Sequence, residues 1–240
     1  MATNIFYTPG KGELVDKPLF IPPPPGIKFT TFGFNELLAD SLWLRWIQSP
    51  AECGKGKIPR SVFEKNYTGY KIDQKNMVKL NGGWDRSQKD VCVKGWSFQM
   101  LDAITTLAPR FRMPYVSGPI ILSVLADDHE GAKILFERAV EQFPLDWKFH
   151  YQAAYHYLFE LDDVRRAADH LYKASNLGAP QWTKSLAARL YTKVGQAALG
   201  IIALKQYRLV IEDDKVALKE VNERLAKLEK ILVKSKKKNR

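Results

Sequence analysis

An internal repeat of 35 residues constrains the fold of this chain more than any other feature. From residue 95 onward, a small residue, a large apolar residue and a second small or apolar residue recur in one order, separated by four and then three positions. These offsets place the three positions on one face of a helix. The three sets are Ser97, Leu101 and Ile104; Ala132, Phe136 and Ala139; and Ala167, Leu171 and Ala174.

Each of these helices is followed by a proline, which cannot continue a helix. Pro109, Pro144 and Pro180 follow one another at intervals of 35 and 36 residues. We call the three recurring positions the seam. In the unit that ends at Pro144 and in the unit that ends at Pro180, another helix precedes the seam helix and leads into a turn. This turn is Asp127-Asp128 in the first of these units and Asp162-Asp163 in the second. We interpret these acidic pairs as turn and helix-capping residues. The periodicity predicts helix–turn–helix units over about residues 95–212, with a leading half unit before residue 109 and a looser third unit.

The second-helix pattern resembles that of the tetratricopeptide repeat (TPR) family, whose 34-residue unit carries Ala, a large apolar residue, Ala and then Pro. Two units fit: Ala132, Phe136, Ala139 and Pro144; and Ala167, Leu171, Ala174 and Pro180. The first helices lack the Trp-Leu-Gly set of that family, and the period is one residue longer. The resemblance implies a TPR-like alpha-alpha superhelix whose concave groove binds peptides. More loosely, residues 38–48 and 107–111 resemble bacterial envelope-associated proteins of this repeat class, in which a membrane anchor precedes the repeats.

The segments around the repeats complete an all-α fold with an extended N-terminal arm and an irregular insert. Residues 1–33 include four consecutive prolines, which favour an extended arm. This arm is either a linker or strap lying on the domain, or a ligand for a proline-recognising module. Residues 35–48 predict a helix that is apolar on most sides and therefore buried. We assign residues 34–234 to one repeat domain, with an insert at 49–94 and an amphipathic capping helix at 214–234. Residues 235–240 predict a disordered basic tail.

The two cysteines, Cys53 and Cys92, bracket the insert. A disulfide between them would close a long loop and stabilise the fold by about 3–4 kcal/mol. The alternative is two unrelated buried thiols. A disulfide indicates an oxidising compartment, which agrees with the envelope resemblance and favours a periplasmic or cell-envelope location. The absence of a recognisable signal peptide favours the cytoplasm instead, unless the sequence begins downstream of an anchor.

The net charge of +11 is confined to two segments. The insert holds ten Lys or Arg against five Asp or Glu, and residues 227–240 hold seven against one. The rest of the chain is balanced, which argues against nucleic-acid binding by the repeats. An alternative function remains open, in which the basic insert and tail bind RNA or an anionic membrane. Aromatic residues that could stack on bases are interleaved with the basic ones at Tyr67, Tyr70 and Trp84.

Known catalytic patterns are absent from the sequence. It has no phosphate-binding glycine loop, no His-Glu-x-x-His motif and no nucleophile signature. His150 and His156 are six residues apart, on opposite faces of a helix, and we interpret all four histidines as structural or surface residues. No run of 18 apolar residues is present. We therefore predict no enzymatic activity, no cofactor and no metal.

The remaining prediction is recognition of a protein or peptide partner in the concave groove. Taking Ala153-Ala154 as the closest helix contact of the second unit, the groove-facing positions follow from the repeat. The principal predicted site residues are Lys148, Tyr151, Tyr155, Leu158, Trp182 and Arg189. The same offsets add Val116, Ile120, Ser123, Ser185 and Thr192. The sequence thus predicts a monomeric interaction scaffold, with membrane association through a preceding anchor or the basic tail. A structural oligomer built through the C-terminal helix is the third alternative.

Overall fold

The structure is a computed structural model that describes residues 21–59, Val62 and 90–238, and the side chains of these residues as far as Val233. Nine α-helices occur in this part of the chain. They are α1 (Asn35–Trp46), α2 (Trp96–Leu107), α3 (Arg112–Val124), α4 (His129–Gln142), α5 (Trp147–Phe159), α6 (Val164–Asn176), α7 (Trp182–Lys193), α8 (Ala197–Arg208) and α9 (Lys215–Lys238). Short 3-10 helices span Ile27–Phe29 and Gly54–Gly56.

The helices pack in chain order, each mainly against the next. All nine seam positions of the 35-residue repeat are buried in this packing. Six of them belong to apolar clusters that run from α1–α4 to α5–α7, and Ala139 packs in a separate cluster with Tyr115 and Phe149. This succession of antiparallel helix pairs confirms the predicted fold class, an all-α solenoid.

The acidic pairs serve the turns between paired helices. Asp127 and Asp162 adopt left-handed backbone conformations, with φ of 56° and 51°. Aspartate tolerates this region better than most residues because its short side chain can hydrogen-bond locally. The following residues cap the next helix, since Asp128 accepts a hydrogen bond from the Gly131 amide and Asp163 accepts one from the Arg166 amide. Turn chemistry therefore explains both pairs.

The leading unit is a complete helix pair, which corrects the prediction of a half unit before residue 109. Helix α1 packs against α2. The buried Trp46 indole Nε1 donates to the Ser97 hydroxyl at 2.6 Å, and that hydroxyl donates to the Pro50 carbonyl oxygen at 2.6 Å. Repeat periodicity did not identify α1 because the insert separates it from α2. In this leading unit, the insert connects α1 to α2, where a short turn connects the paired helices of the later units.

Helix α1 is less buried than its apolar composition predicts. Ala39 and Trp46 face the core, whereas Leu37, Leu44 and Ile47 are exposed. The prediction that this helix is buried on most sides is therefore wrong. The physical reason is its position, because among the described elements α1 packs mainly against α2 alone.

The ends of the insert are joined by a short antiparallel ladder and a disulfide. Strand β1 (Lys57–Pro59) pairs with β2 (Asp90–Cys92), with Ile58 opposite Val91. Cys53 and Cys92 form a disulfide between Cα atoms 5.8 Å apart. Of the two alternatives for the cysteines, the structure therefore has the bonded one. Residues 60–61 and 63–89, including the aromatic residues proposed to stack on bases, lie outside the described part of the chain.

Helix α9 closes the C-terminal end of the core. Val221, Leu225 and Leu228 are buried against residues of α7 and α8. This part of the apolar stripe is therefore not available as a coiled-coil seam. Val216 and Ile231 of the same helix are exposed.

The same helix corrects the predicted boundary of the basic tail. It continues through Lys238, four residues beyond the predicted limit. The prediction that the chain is disordered from residue 235 onward is therefore wrong for residues 235–238. Lysine is a good helix former, and its charge interacts favourably with the C-terminal end of the helix dipole. Residues 239–240 lie outside the described part.

The described part of the N-terminal arm lies on α2. The Trp96 indole Nε1 donates to the Ile21 carbonyl oxygen at 3.2 Å. Pro23, Pro24 and Pro25 line a shallow cavity together with Gln99 and Ala103 of α2. Residues 21–29 therefore form a strap on the domain, as one of the two predictions for this segment states. Residues 1–20 lie outside the described part.

Candidate partner-binding surface

A row of aromatic side chains follows one face of α5. Trp147, Tyr151, Tyr155 and Phe159 are spaced by four residues, which places them above one another on the helix. Successive ring centroids are 6.0, 4.8 and 5.4 Å apart. The Tyr151 hydroxyl donates to the Tyr155 hydroxyl at 3.0 Å. Tyr155 is 39% exposed and Phe159 is 66% exposed, so the row presents aromatic surface to solvent.

Trp182 extends this row onto the next repeat. It begins α7, is 45% exposed, and its ring meets Tyr151 edge-on at 6.0 Å. We call the five residues Trp147, Tyr151, Tyr155, Phe159 and Trp182 the aromatic surface. It bridges the first helices of the second and third units, which are the helices expected to line the groove.

The other predicted site residues fall into two groups. Lys148 on α5 and Arg189 on α7 are exposed. Leu158 is half-buried and packs against the core shared by α5, α6 and α7. The structure therefore presents the two cations, Tyr155 and Trp182 to solvent, whereas Leu158 contributes mainly to packing.

The first unit has aliphatic side chains at the positions equivalent to Tyr155 and Phe159. Ile120 and Val124 on α3 are exposed, and they stand 35 residues before Tyr155 and Phe159. Val116, 35 residues before Tyr151, is half-buried. The repeat thus places apolar side chains at equivalent positions on α3 and α5. Prediction missed Val124, Trp147 and Phe159, although the 35-residue offset and the four-residue spacing on α5 would have identified them.

Beyond Trp182, a pair of arginines, Arg189 of α7 and Arg224 of α9, lies at this end of the solenoid. Arg224 of α9 donates to the Ser185 hydroxyl at 2.9 Å. Burial, followed by repulsion from the nearby Arg189, lowers the Arg224 pKa from its ordinary value. Ser185 is thereby occupied by an intramolecular contact, and Thr192 donates to the Ala188 carbonyl oxygen at 2.8 Å.

Ser123 is buried and does not face a groove, which corrects its prediction. Its hydroxyl lies 3.2 Å from His156 Nδ1 and 3.5 Å from His129 Nδ1. His129 Nε2 in turn lies 2.9 Å from an Asp127 carboxylate oxygen. These residue types also form hydrolytic triads. Here the serine and both histidines are buried, so a substrate could not reach the hydroxyl.

The electrostatics of the aromatic surface favour neutral rings. Burial, together with the hydrogen bond to Tyr155, raises the Tyr151 pKa to about 12. The hydroxyl therefore stays protonated at physiological pH and acts as a neutral hydrogen-bonding group. Such a surface combines apolar ring faces with polar edges, a combination common at protein interfaces.

These features define the class of the protein as an all-α helical-repeat solenoid with an exposed aromatic surface on its first helices. No family model matches the chain, and no curated protein matches it. Among solved structures, it is similar to MamA 41-end from Desulfovibrio magneticus RS-1, with 12% identity and a TM-score of 0.37, over 50% of this chain and 67% of that one. The fold assignment therefore depends on the observed helix packing.

The described residues lack two features, a membrane-spanning helix and a three-ligand metal site. None of the helices there has the length and apolarity needed to cross a bilayer. In the same residues, no group of three or more His, Cys, Asp or Glu side chains is arranged to hold a metal ion.

Proposed function

We propose that this chain is a non-enzymatic scaffold that binds an extended peptide, or an extended segment of a partner protein, across α3, α5 and α7. The observation that carries the proposal is the exposed aromatic surface, which joins two consecutive repeats. Monomeric proteins expose few contiguous apolar patches of this kind without a binding role. Exposed Tyr and Trp side chains also lose little conformational entropy on binding and are frequent binding hot spots.

The charges near the surface favour a partner that carries some acidic residues. Lys148 and Arg189 are exposed on α5 and α7, and Arg224 lies close enough to Arg189 for the two cations to repel. The chain's own Glu220 offsets part of that repulsion, and a partner carboxylate between the arginines would offset more of it. Opposite charges across an interface chiefly accelerate association and orient the partner. We therefore infer an apolar segment with acidic residues toward the α7 side.

We further propose that the protein works in an oxidising compartment of a bacterial envelope. The Cys53–Cys92 disulfide supports this proposal, because such bonds persist where thiols are not kept reduced. The looser sequence resemblance to envelope-associated repeat proteins points the same way. The cytoplasm is the alternative.

A display library of random peptides, followed by affinity measurement on synthetic peptides, tests the proposed groove. We expect selected peptides to bind the wild-type chain and to lose about 2 kcal/mol, or roughly 30-fold in Kd, on Tyr155→Ala. Phe159→Ala should have a similar effect. Leu209→Ala is the matched control, because Leu209 is an exposed apolar residue at the end of α8, away from the aromatic surface.

The circular-dichroism spectrum and Tm of each variant must match the wild type before affinities are compared. Unchanged affinity in the Tyr155→Ala, Phe159→Ala double variant would show that the aromatic surface is not the binding site. Loss of binding in Leu209→Ala alone would locate the site elsewhere on the solenoid.

The RNA- or membrane-binding alternative depends on the charge of the insert and tail, mostly outside the described residues. Its test is a gel shift with single-stranded RNA and a flotation assay with anionic vesicles over a range of salt. Binding through phosphate contacts should weaken steeply as salt rises. Absent or salt-independent binding would exclude this alternative.

A further inference from the structure

Two histidines from the paired helices of the second unit face each other. His150 on α5 and His170 on α6 bring their Nδ1 atoms to 3.2 Å, with ring centroids 5.5 Å apart. The sequence gives no sign of this pair, because the residues are 20 positions apart on different helices. Neither histidine belongs to the aromatic surface.

The outer nitrogen of His150 is held by the backbone. His150 Nε2 lies 3.3 Å from the Pro144 carbonyl oxygen. A carbonyl oxygen only accepts hydrogen bonds, so Nε2 carries the proton and Nδ1 presents a lone pair toward His170. A backbone carbonyl on the outer nitrogen is the usual support of a histidine that ligates a metal, because it fixes the tautomer and the ring orientation.

We propose that His150 and His170 bind one divalent transition-metal ion through their Nδ1 atoms, with Cu²⁺ preferred over Ni²⁺ and Zn²⁺. Metal–imidazole bonds are about 2.0–2.1 Å long, so two nitrogens on one ion lie about 2.9–3.4 Å apart in square or tetrahedral arrangements. The observed separation of 3.2 Å falls in this range. The order of affinities follows the general ranking of divalent metals for nitrogen ligands.

Both rings are prepared for this role before the ion binds. Ring stacking on Tyr157, at 5.4 Å and 13°, fixes the orientation of His170. Burial lowers the pKa of His150, and burial together with His150 lowers the pKa of His170 to about 4. Neither imidazole therefore has to lose a proton near neutral pH. Without metal, the His170 Nδ1–H donates to His150 Nδ1; with metal, that proton moves to His170 Nε2.

The surrounding charges limit the affinity. Asp146 favours positive charge near His150, and Asp169 favours it near His170, whereas Lys173 disfavours it at both rings and Arg166 at His170. The described residues provide no third His, Cys, Asp or Glu ligand, so water completes the coordination. His170 is only partly buried, which leaves a path for the ion.

Calorimetric titration of Cu²⁺ into the untagged full chain near neutral pH tests the proposal. We expect one equivalent to bind, and His150→Gln and His170→Gln each to weaken binding by at least about tenfold. Electron paramagnetic resonance of the wild-type complex should show coupling to two imidazole nitrogens. His129→Gln is the control, because it removes a histidine elsewhere in the fold and should leave the affinity unchanged.

Folding is checked by circular dichroism, and a second readout does not depend on the titration. Cu²⁺ should raise the Tm of the wild type by bridging α5 and α6, and it should not raise the Tm of His170→Gln. Equal affinity in the wild type and the His150→Gln, His170→Gln double variant would overturn the proposal. A wild-type chain that binds no Cu²⁺ would overturn it as well.

Discussion

Removal of the disulfide should destabilise this protein by a large fraction of its total stability. The bond joins residues 39 positions apart. For a loop of this length, the lost entropy of the cross-linked unfolded chain corresponds to about 4 kcal/mol at room temperature. Domains of this size are stable by only about 5–15 kcal/mol. The effect should therefore be visible as a clear fall in the midpoint of urea unfolding.

The assay compares three forms of the protein: the oxidised wild type, the reduced wild type and the Cys53→Ala, Cys92→Ala double variant. Both uncross-linked forms should lose about 4 kcal/mol relative to the oxidised form. Their m-values should rise, because an unfolded chain without the cross-link exposes more surface. The reduced wild type and the double variant differ only in the small volume of two buried sulfur atoms. A difference between their free energies of unfolding therefore measures packing rather than cross-linking.

Two outcomes would refute this reasoning. The oxidised protein could react with two equivalents of a thiol reagent after denaturation without reductant, in which case the bond does not form and the main support for an oxidising compartment disappears. Alternatively, the bond could form while its reduction changes stability by less than about 1 kcal/mol. The strand pair β1–β2 would then hold the insert closed in the unfolded ensemble, against the chain-entropy argument.

Three further predictions concern single residues. Burial lowers the His156 pKa to about 3, so the unfolded chain takes up this proton first as pH falls below about 6.5. Between about pH 6.5 and 3, stability should therefore drop by about 1.4 kcal/mol per pH unit from this group, and His156→Gln should reduce that slope in urea titrations. Asp128→Ala removes the acceptor of the Gly131 and Gly95 amides and should cost about 2–4 kcal/mol of unfolding free energy, whereas Asp128→Asn keeps an acceptor and should cost less. Gly95→Ala places a methyl group 2.5 Å from the Cys53 carbonyl oxygen and the Cys92 sulfur, so thiol titration should find free cysteines in this variant.

The repeat could be read from sequence because solenoid contacts are local. A seam residue packs against the helix just before or after it, so the same chemistry recurs at the same offset. The buried set from Ser97 to Ala174 followed directly. The helix at residues 35–48 was predicted, but its pairing with α2 was not, because the insert separates the two helices. The apolar residues of α1 gave no indication of which side would be covered.

The candidate binding surface was only partly predictable. Tyr155 and Trp182, which the repeat offsets predict to face the groove, are exposed in the structure. Ser123 was predicted wrongly, because the offset carries no information about which neighbours fill the space around it. In the structure two histidines from α4 and α5 occupy that space. The sequence could not predict the contact between His150 and His170 either, since this contact depends on how α6 is rotated relative to α5.

The insert is fixed to the solenoid through a residue that the repeat itself supplies. Asp128 and Asp163 occupy equivalent turns and cap equivalent helices. Besides capping its helix, Asp163 forms an ion pair with Arg166 at 3.3 Å. Besides capping its helix, the buried Asp128 accepts a hydrogen bond from the Gly95 amide at 3.0 Å.

Burial raises the Asp128 pKa, and the amide hydrogen bonds compensate the cost of placing a carboxylate there. The two ends of the insert, which the disulfide and the β1–β2 pair join, are thereby held against the turn between α3 and α4 in the first repeat unit. The described ends of the insert therefore contact the first unit, whereas the aromatic surface lies on α5 and α7. The two candidate binding activities can therefore be tested by separate variants, since neither requires residues of the other.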